Sequence, residues 1–255
     1  MKLSVYLPVH NEQKNLAAVL ASVSFADEIL VLLDKCTDGS KDIVLANPHV
    51  RFIEGSWPRE GERRNTALEA ITGDWVLEMD ADERIPAELA AEIRQVVDTS
   101  IYDLHKIPFD NYIGDRLVKY GWGAYIGVSN KIALFRKGCK TYETDGRITH
   151  AVPYMKGKFG PMLQHAIVHY LDDDLSDTFR RFNSYTTAGA KDLLHKESKG
   201  GSIGTFGRNF LRLFSRFYKS YFRRKGYREG SLGFLIGVLA GLYPMVSYIK
   251  AKYKI

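Results

Sequence analysis

Asp74-Trp75-Val76-Leu77-Glu78-Met79-Asp80-Ala81-Asp82-Glu83 runs a short apolar stretch into a cluster of carboxylates. Asp80 and Asp82 stand two residues apart, so on an extended chain both point to one side. In a turn they can still converge on one ion. Hard divalent cations take oxygen ligands, and in phosphate-handling sites they are held by one or two carboxylates plus the phosphates of the substrate. The stretch therefore suits a metal–diphosphate site at the end of a buried strand, with Mg²⁺ or Mn²⁺ as the ion. Its structural alternative is a solvated acidic turn.

The elements around this stretch decide between the two. Leu3-Ser4-Val5-Tyr6-Leu7 is a β-rich run stopped by Pro8, which predicts a buried strand. Asn11 and Glu12 open a helix with Leu16, Val19, Leu20 and Val23 at i, i+3, i+4 and i+7. A second strand spans 28–33 and ends at Asp34, followed by turn chemistry in Thr37-Asp38-Gly39-Ser40 and a short helix around Ile43. A third strand covers 50–53, a helix 61–71 stops near Gly73, and Pro86 starts a helix carrying Leu89, Ile93, Val96 and Val97 on one face. This alternation predicts an α/β domain built on a mostly parallel sheet with helices on both faces. In such sheets ligands bind outside the carboxyl ends of the strands. Residues 8–12, Asp34 and residues 80–83 all fall there. Neither a Gly-x-Gly-x-x-Gly nor a Gly-Lys-Ser/Thr loop follows the first strand, so the dinucleotide and P-loop fingerprints are missing. A nucleotide can instead be held through Asp34 and an arginine, and through a metal on its phosphates.

Five ordered motifs carry a family resemblance: Leu7-Pro8-Val9-His10-Asn11-Glu12; Phe25-Ala26-Asp27-Glu28-Ile29-Leu30-Val31; Asp34 with Thr37-Asp38-Gly39-Ser40; Arg64-Asn65-Thr66-Ala67; and the stretch from Gly73 to Glu83. Together they resemble family 2 glycosyltransferases, and among these the bacterial branch that includes lipopolysaccharide core β-glucosyltransferases. The likeness covers roughly the first 100 residues, with a weaker echo to the C-terminus. It implies a GT-A (Rossmann-like) fold, a nucleotide-diphospho-sugar donor, a divalent metal and inversion at the anomeric carbon. It places Pro8, Asn11 and Glu12 at the nucleoside, Asp34 on the base, and Arg64 near base and ribose. Asp80 and Asp82 fall on the pair that serves ribose, metal and diphosphate. Lys35-Cys36 departs from the serine-rich turn of many relatives. For Asp34 and Asp38 the alternative is turn capping, and for Arg64 an exposed helix charge.

An inverting transfer needs a carboxylate within reach of the acceptor hydroxyl to take its proton. Related enzymes often have Val-His-Glu where this chain has His150 followed by Ala151. Asp145 is then the first candidate base, Glu143 the second, and His150 a residue that orients donor or base. The glycine- and aromatic-rich stretch 120–125 suits either a sugar-stacking loop or an ordinary packed one. His165 and His169 share a strand face but have no cysteine partner, which argues against zinc. Residues 172–174, three aspartates, are expected as a solvated turn.

The chain has 255 residues, 45% hydrophobic and 26% charged, with a net charge of +6. That suffices for a large α/β domain plus an appendage, here expected as 1–175 and a helical extension over 176–255. Two cysteines outside any Cys-x-x-Cys make no disulfide scaffold, and the N-terminal apolar run is too short for a signal peptide. From Phe206 onward Phe210, Leu213, Phe214, Phe217 and Tyr221 form an apolar helical stripe with Arg208, Arg212, Arg216, Lys219 and Arg223 largely opposite. Such a helix suits an anionic membrane surface. Basic residues among aromatics also suit single-stranded nucleic acid, but residues 230–249 contain no charge, which favours the membrane. Gly233, Gly237 and Gly241 line one side of this segment and Pro244 interrupts it. The expectation is monotopic or peripheral attachment to the cytoplasmic face of the inner membrane, with Lys250, Lys252 and Lys254 at the headgroups. A lipid-linked saccharide acceptor follows, and no nucleic-acid partner. The rivals are a sugar nucleotidyltransferase, which lacks its glycine-rich loop here, and a non-catalytic membrane or nucleic-acid adaptor.

Overall fold

A computed structural model of the chain describes residues 1–123, 127–144 and 151–255. It divides into two compact units, residues 1–109 with 130–169 and residues 110–129 with 170–255. The division falls inside two strands rather than at residue 175.

The first unit is built on the strands β1 (Leu3–Val9), β2 (Glu28–Asp34), β3 (Val50–Gly55) and β4 (Trp75–Glu78). They lie in the order β3-β2-β1-β4 and all pair parallel. Their carboxyl ends therefore share one edge of the sheet. Beyond β4 the sheet continues through β8 (Asn130–Arg136), β6 (Leu104–Ile113), β11 (Ile167–Asp172) and β5 (Glu83–Arg84). There β4–β8, β8–β6 and β11–β5 are antiparallel. The parallel pattern thus holds only where a helix crosses back between successive strands. The remaining short strands are β7 (Arg116–Val118), paired with β6, and the two-stranded β9 (Lys140–Tyr142) with β10 (Pro153–Met155).

The two-residue period of the strands sorts their side chains onto two layers. Odd positions of β1, namely Leu3, Val5, Leu7 and Val9, join Val31, Leu33, Trp75, Leu77 and Met79 in one core. Three helices cover that face: α1 (Gln13–Ser22) with Leu16, Val19 and Leu20, α2 (Ser40–Leu45) with Val44, and α4 (Ala87–Thr99) with Leu89, Ile93 and Val97. The opposite face carries Tyr6, Leu30, Leu32 and Val76 against Ala67 and Ile71 of α3 (Glu60–Ala70) and its C-cap. Residues that continue those even rows, Asp34 after Leu32 and Glu78 after Val76, must emerge on the α3 side.

Glu28 is an exception that carries charge into the sheet. Its side chain is buried and accepts hydrogen bonds from Ser4 Oγ, from Thr72 N and Oγ1, and from Arg51. Burial alone would raise its pKa, but these donors overcome it and hold the carboxyl at about 2. A carboxyl lowered on folding stabilises fully above its unfolded value near 4.5 and loses that contribution as pH falls through about 2. Wild type should therefore lose on the order of 3 kcal/mol of this contribution across that window. Glu28→Gln should lack this part of the slope. Urea midpoints measured against pH for both proteins check it; parallel acid profiles would refute the assignment.

The second unit contains α5 (Leu175–Ser198), α6 (Phe206–Tyr218) and α7 (Gly230–Tyr253), with a π-helical turn at Lys219–Arg223 and a 3₁₀ turn at Gly226–Glu229. Asp174 caps α5 by accepting from Asp177 N, whereas Asp172 is buried and paired with Arg181 and Thr178 Oγ1. The three aspartates therefore do not form a solvated turn. Trp122 is buried with Ile113, Val118, Ile236, Leu239 and Ala240, so this part of the 120–125 loop is packed core; 124–126 lie outside the described residues.

Helix α7 runs unbroken through Pro244. Pro244 has no N–H, so one bond of the helical ladder is unmade there. The glycine stripe works as a seam. A Cβ on Gly233 would stand 1.8 Å from Gly226 O, one on Gly241 2.8 Å from Leu213 O, and one on Gly237 3.2 Å from the Phe217 ring. Lys250 does not face outward: its Nζ donates to Asn183 O and Oδ1, Thr186 Oγ1 and Thr187 Oγ1 of α5. By length and composition α7 can cross a membrane, yet about half of its apolar window is covered within the protein.

Candidate active site

The chain turns sharply as it leaves β1 and β2. Asn11 and Lys35 both adopt left-handed backbone conformations, φ 57° and 53°, a region that asparagine tolerates better than most residues. Asn11 Oδ1 accepts from Thr37 N at 2.7 Å, which ties the two strand ends together. Pro8 is buried in β1 opposite Leu32. Glu12 begins α1: its N–H donates to Ser40 Oγ, and its carboxylate accepts from Asn15 Nδ2. Burial raises the Glu12 pKa, and the negative charges of Asp82, Asp38 and Asp80 raise it further. Glu12 thus faces the same crevice as the acidic pair. Asp38 is a turn cap, accepting from Gln13 N and Ser40 N.

Two successive arginines in the first turns of α3 sort the sheet-edge acids. Asp34 accepts from Arg63 Nη1 at 3.1 Å and from Trp57 N at 3.3 Å. Arg64, one residue on, turns inward beside Ala67 and Ile71 at helical spacing and is buried. It pairs with Glu60 at 2.8 Å, Glu78 at 3.0 Å and Asp80 at 3.2 Å. Arg64 is therefore not an exposed helix charge, and the arginine that meets Asp34 is its neighbour Arg63.

A second cation reaches the acids from a distant strand. Lys131 Nζ, on β8, lies 2.6 and 2.7 Å from the two oxygens of buried Glu83 and 3.3 Å from Asp80 Oδ2. Burial would lower the Lys131 pKa, but Asp80, Glu83 and Glu78 hold it raised. Lys131 and Arg64 in turn hold Asp80 well below the usual carboxylate range, against the raising effect of desolvation. Glu83 goes the other way, pushed up to about 7 by burial and by the charges of Asp80 and Asp82 in spite of Lys131. Beneath them Glu78 is fully enclosed, accepting from Lys140 Nζ at 2.9 Å, Tyr6 OH at 2.6 Å and Tyr142 OH at 2.5 Å. The acidic edge thus rests on a buried network that includes four strands and α3.

Asp82 differs from Asp80. Both side chains are about two-fifths exposed, 38% and 40%. Asp80 spends one oxygen on Arg64 and the other on Lys131, whereas Asp82 is met by His169 Nε2 at 3.3 Å. Burial lowers the His169 pKa and the Asp82 contact more than offsets it. His165 does not join them: it pairs with Glu92. Among the described residues no three His, Cys, Asp or Glu side chains form a metal-holding group. The oxygen-rich, partly open pair suits a hard cation whose remaining ligands come from phosphates.

The segment proposed to carry the base is anchored on both sides by the start of α3. Gly61 lies so close to the chain that a Cβ would stand 1.9 Å from Glu143 O. Arg59 Nη1 donates to Thr144 O at 2.7 Å, and Glu60 Oε2 accepts from Ala151 N at 3.4 Å. Asn65 clamps the preceding strand by bonding both Tyr142 N and Tyr142 O at 2.9 Å. Glu143 is half-buried, with its N–H on Val152 O. Asp145 and His150 lie outside the described residues. Lys131, Lys140, Tyr142 and Arg63 were not anticipated. The signal available was Glu78 itself, an acid at a buried strand position that demands cations and donors from elsewhere.

Three comparisons bear on the family. A sequence profile described as Glycosyl transferase family 2 matches residues 4–159. The lipopolysaccharide core biosynthesis glycosyltransferase LpsC of Rhizobium meliloti is 22% identical over 98% of this chain and 92% of its own. An uncharacterized glycosyltransferase of Rickettsia felis is 25% identical over 92% and 83%. Among solved structures, S. aureus TarS 1-349 in complex with UDP-GlcNAc superposes with TM-score 0.53 at 16% identity, covering 100% of this chain and 88% of that one. The same protein in complex with UDP gives 0.54 at 17%, covering 90% and 75%. These structures share the GT-A architecture found here. With its parallel β1–β4 edge, its acidic pair after β4 and a profile match over more than half its length, the chain belongs to glycosyl transferase family 2.

Proposed function

We propose that the protein is an inverting, metal-dependent glycosyltransferase. It moves a hexose, glucose by its resemblance, from a UDP-sugar to a lipid-linked acceptor such as lipopolysaccharide core, at the cytoplasmic face of the inner membrane. One observation supports the donor half of this reading: Arg64 and Lys131 hold Asp80 and His169 meets Asp82, yet both carboxylates remain about two-fifths exposed, side by side at the sheet edge. UDP and UDP-GlcNAc bound to TarS support a uridine donor, and LpsC supports the acceptor class.

In this reading Asp82 is the principal protein ligand for Mg²⁺ or Mn²⁺, with Asp80 close by and His169 orienting the Asp82 carboxylate. Bound there, the ion would offset the charge that builds on the leaving nucleoside diphosphate. Asp34, steadied by Arg63 and Trp57 N, offers the base its acceptor. Pro8, Asn11 and Glu12 shape the nucleoside side of the crevice, and Glu12 adds negative charge that favours a cation. The acceptor hydroxyl loses its proton to a carboxylate on the stretch that α3 anchors, Asp145 first and Glu143 second, with His150 as the orienting group.

Calorimetry of UDP binding, with and without Mn²⁺, tests the donor site on wild type and on Asp82→Asn. Binding should need the metal, and Asp82→Asn should weaken it by at least about tenfold. Metal-independent binding equal in both proteins would sink the assignment of Asp82. Silence toward UDP, GDP and ADP alike would favour the adaptor.

A further inference from the structure

The structure assigns membrane contact to one exposed edge of α6, not to α7, and the partner that edge fits is an anionic lipid surface. This deepens the proposed membrane location and names the surface responsible.

The apolar stripe of α6 is wider than its seam. Leu213, Phe217 and Tyr221 turn toward the glycines of α7, with Phe217 against Gly237 and Leu213 O against Gly241. Phe206, Phe210, Phe214, Tyr218 and Phe222 recur every four residues beside that seam and remain between 43% and 57% exposed. Ring centroids lie 6.0 Å apart for Phe206–Phe210, 5.3 Å for Phe210–Phe214 and 5.4 Å for Tyr218–Phe222. Leu211 adds to the same side. A contiguous row of aromatics left open on one helix marks an interaction surface.

Charge identifies what covers it. Between Phe206 and Arg228 there are eight Lys or Arg and no Asp or Glu. At about 100° per residue, Arg208 and Arg212 follow the aromatic edge around α6, and Lys219 and Arg223 continue the basic run into the π-helical turn. An aromatic edge flanked by a cationic strip matches a bilayer interface, with rings among the upper acyl chains and guanidinium groups at anionic headgroups. A second copy would bring the same basic strip against itself, since a twofold contact places like patches together. Single-stranded nucleic acid is held in basic grooves with stacking platforms; this edge is a convex helix whose rings lean on one another. α7 carries the stronger hydropathy but serves as the strut that α5 and α6 pack against.

Flotation of the full chain with vesicles tests this. Wild type should float with phosphatidylcholine–phosphatidylglycerol vesicles and far less with phosphatidylcholine alone. The Phe210→Ser, Phe214→Ser, Tyr218→Ser combination should cut flotation at least about tenfold while UDP calorimetry and the thermal midpoint stay at wild-type values. Arg208→Gln with Arg212→Gln, which keeps every ring, should narrow the difference between the two vesicle types. The proposal is overturned if the serine combination floats like wild type, as attachment through α7 requires. It is equally overturned if wild type shows no preference for phosphatidylglycerol, if polyuridylate competes it off the vesicles, or if the serine combination converts a wild-type dimer to monomer. A protein that floats as described but ignores UDP would overturn the donor reading and leave this surface in place.

Discussion

Replacing Arg64 by alanine should destabilise the protein by about 3–5 kcal/mol, the range for breaking a buried ion pair from one side. Arg64 is the cation that Glu60, Glu78 and Asp80 share, and only its planar fork serves three acceptors in different directions. Lys140, Tyr6 and Tyr142 still hold Glu78 when the arginine is gone, so the loss belongs toward the lower end of that range. Arg64→Lys should recover a minor part, since a single ammonium cannot reach all three. Glu78→Gln alone should also destabilise, because it leaves buried Lys140 without its carboxylate, and combined with Arg64→Ala it should cost less than the two losses added, since both remove the same pair. Urea unfolding of wild type, Arg64→Ala, Glu78→Gln and the double variant completes the cycle. A loss below about 1 kcal/mol, the size of a surface pair, would mean that the network does not bear on folding.

The second large effect is expected at a residue that touches no substrate. Gly61→Ala puts a methyl 1.9 Å from Glu143 O, so the segment after β9 must move by more than an ångström. Asp82, Asp80 and Asp34 are untouched by that shift. Turnover should therefore fall about a hundredfold, the scale of a 1 Å misplacement of reacting groups, with UDP affinity unchanged. Steady-state rates with UDP-sugar, set beside calorimetry, separate the two quantities. Undiminished turnover would show that the anchored stretch does not carry the proton acceptor. A parallel loss of UDP affinity would show instead that the donor crevice had been disturbed.

Both predictions rest on geometry that was partly visible beforehand. The two-residue period of a strand is a property of the backbone, so the placement of Asp34, Glu78 and Asp80 at strand ends could be read from hydrophobic runs alone. The same holds for α1, α3 and α4, whose apolar spacing and neighbouring turn residues state where they begin and which face they bury. The glycine stripe at 233, 237 and 241 likewise announced a close helix seam, and the seam is there.

The tertiary structure decided what those residues meet. Whether Arg63 or Arg64 faces Asp34 depends on the rotation of α3, a difference of about 100° between neighbours that no motif specifies. Lys131, Lys140, Tyr142 and His169 come from β8, β9 and β11, and antiparallel register across such sequence distances is set by packing rather than by local pattern. For the same reason 110–129 joined the C-terminal unit, and Lys250 turned inward to α5. Composition along one helix showed that α6 is basic and aromatic. Only its packing showed which aromatics the protein uses itself and which it leaves exposed, because burial is a property of two surfaces and a sequence describes one at a time.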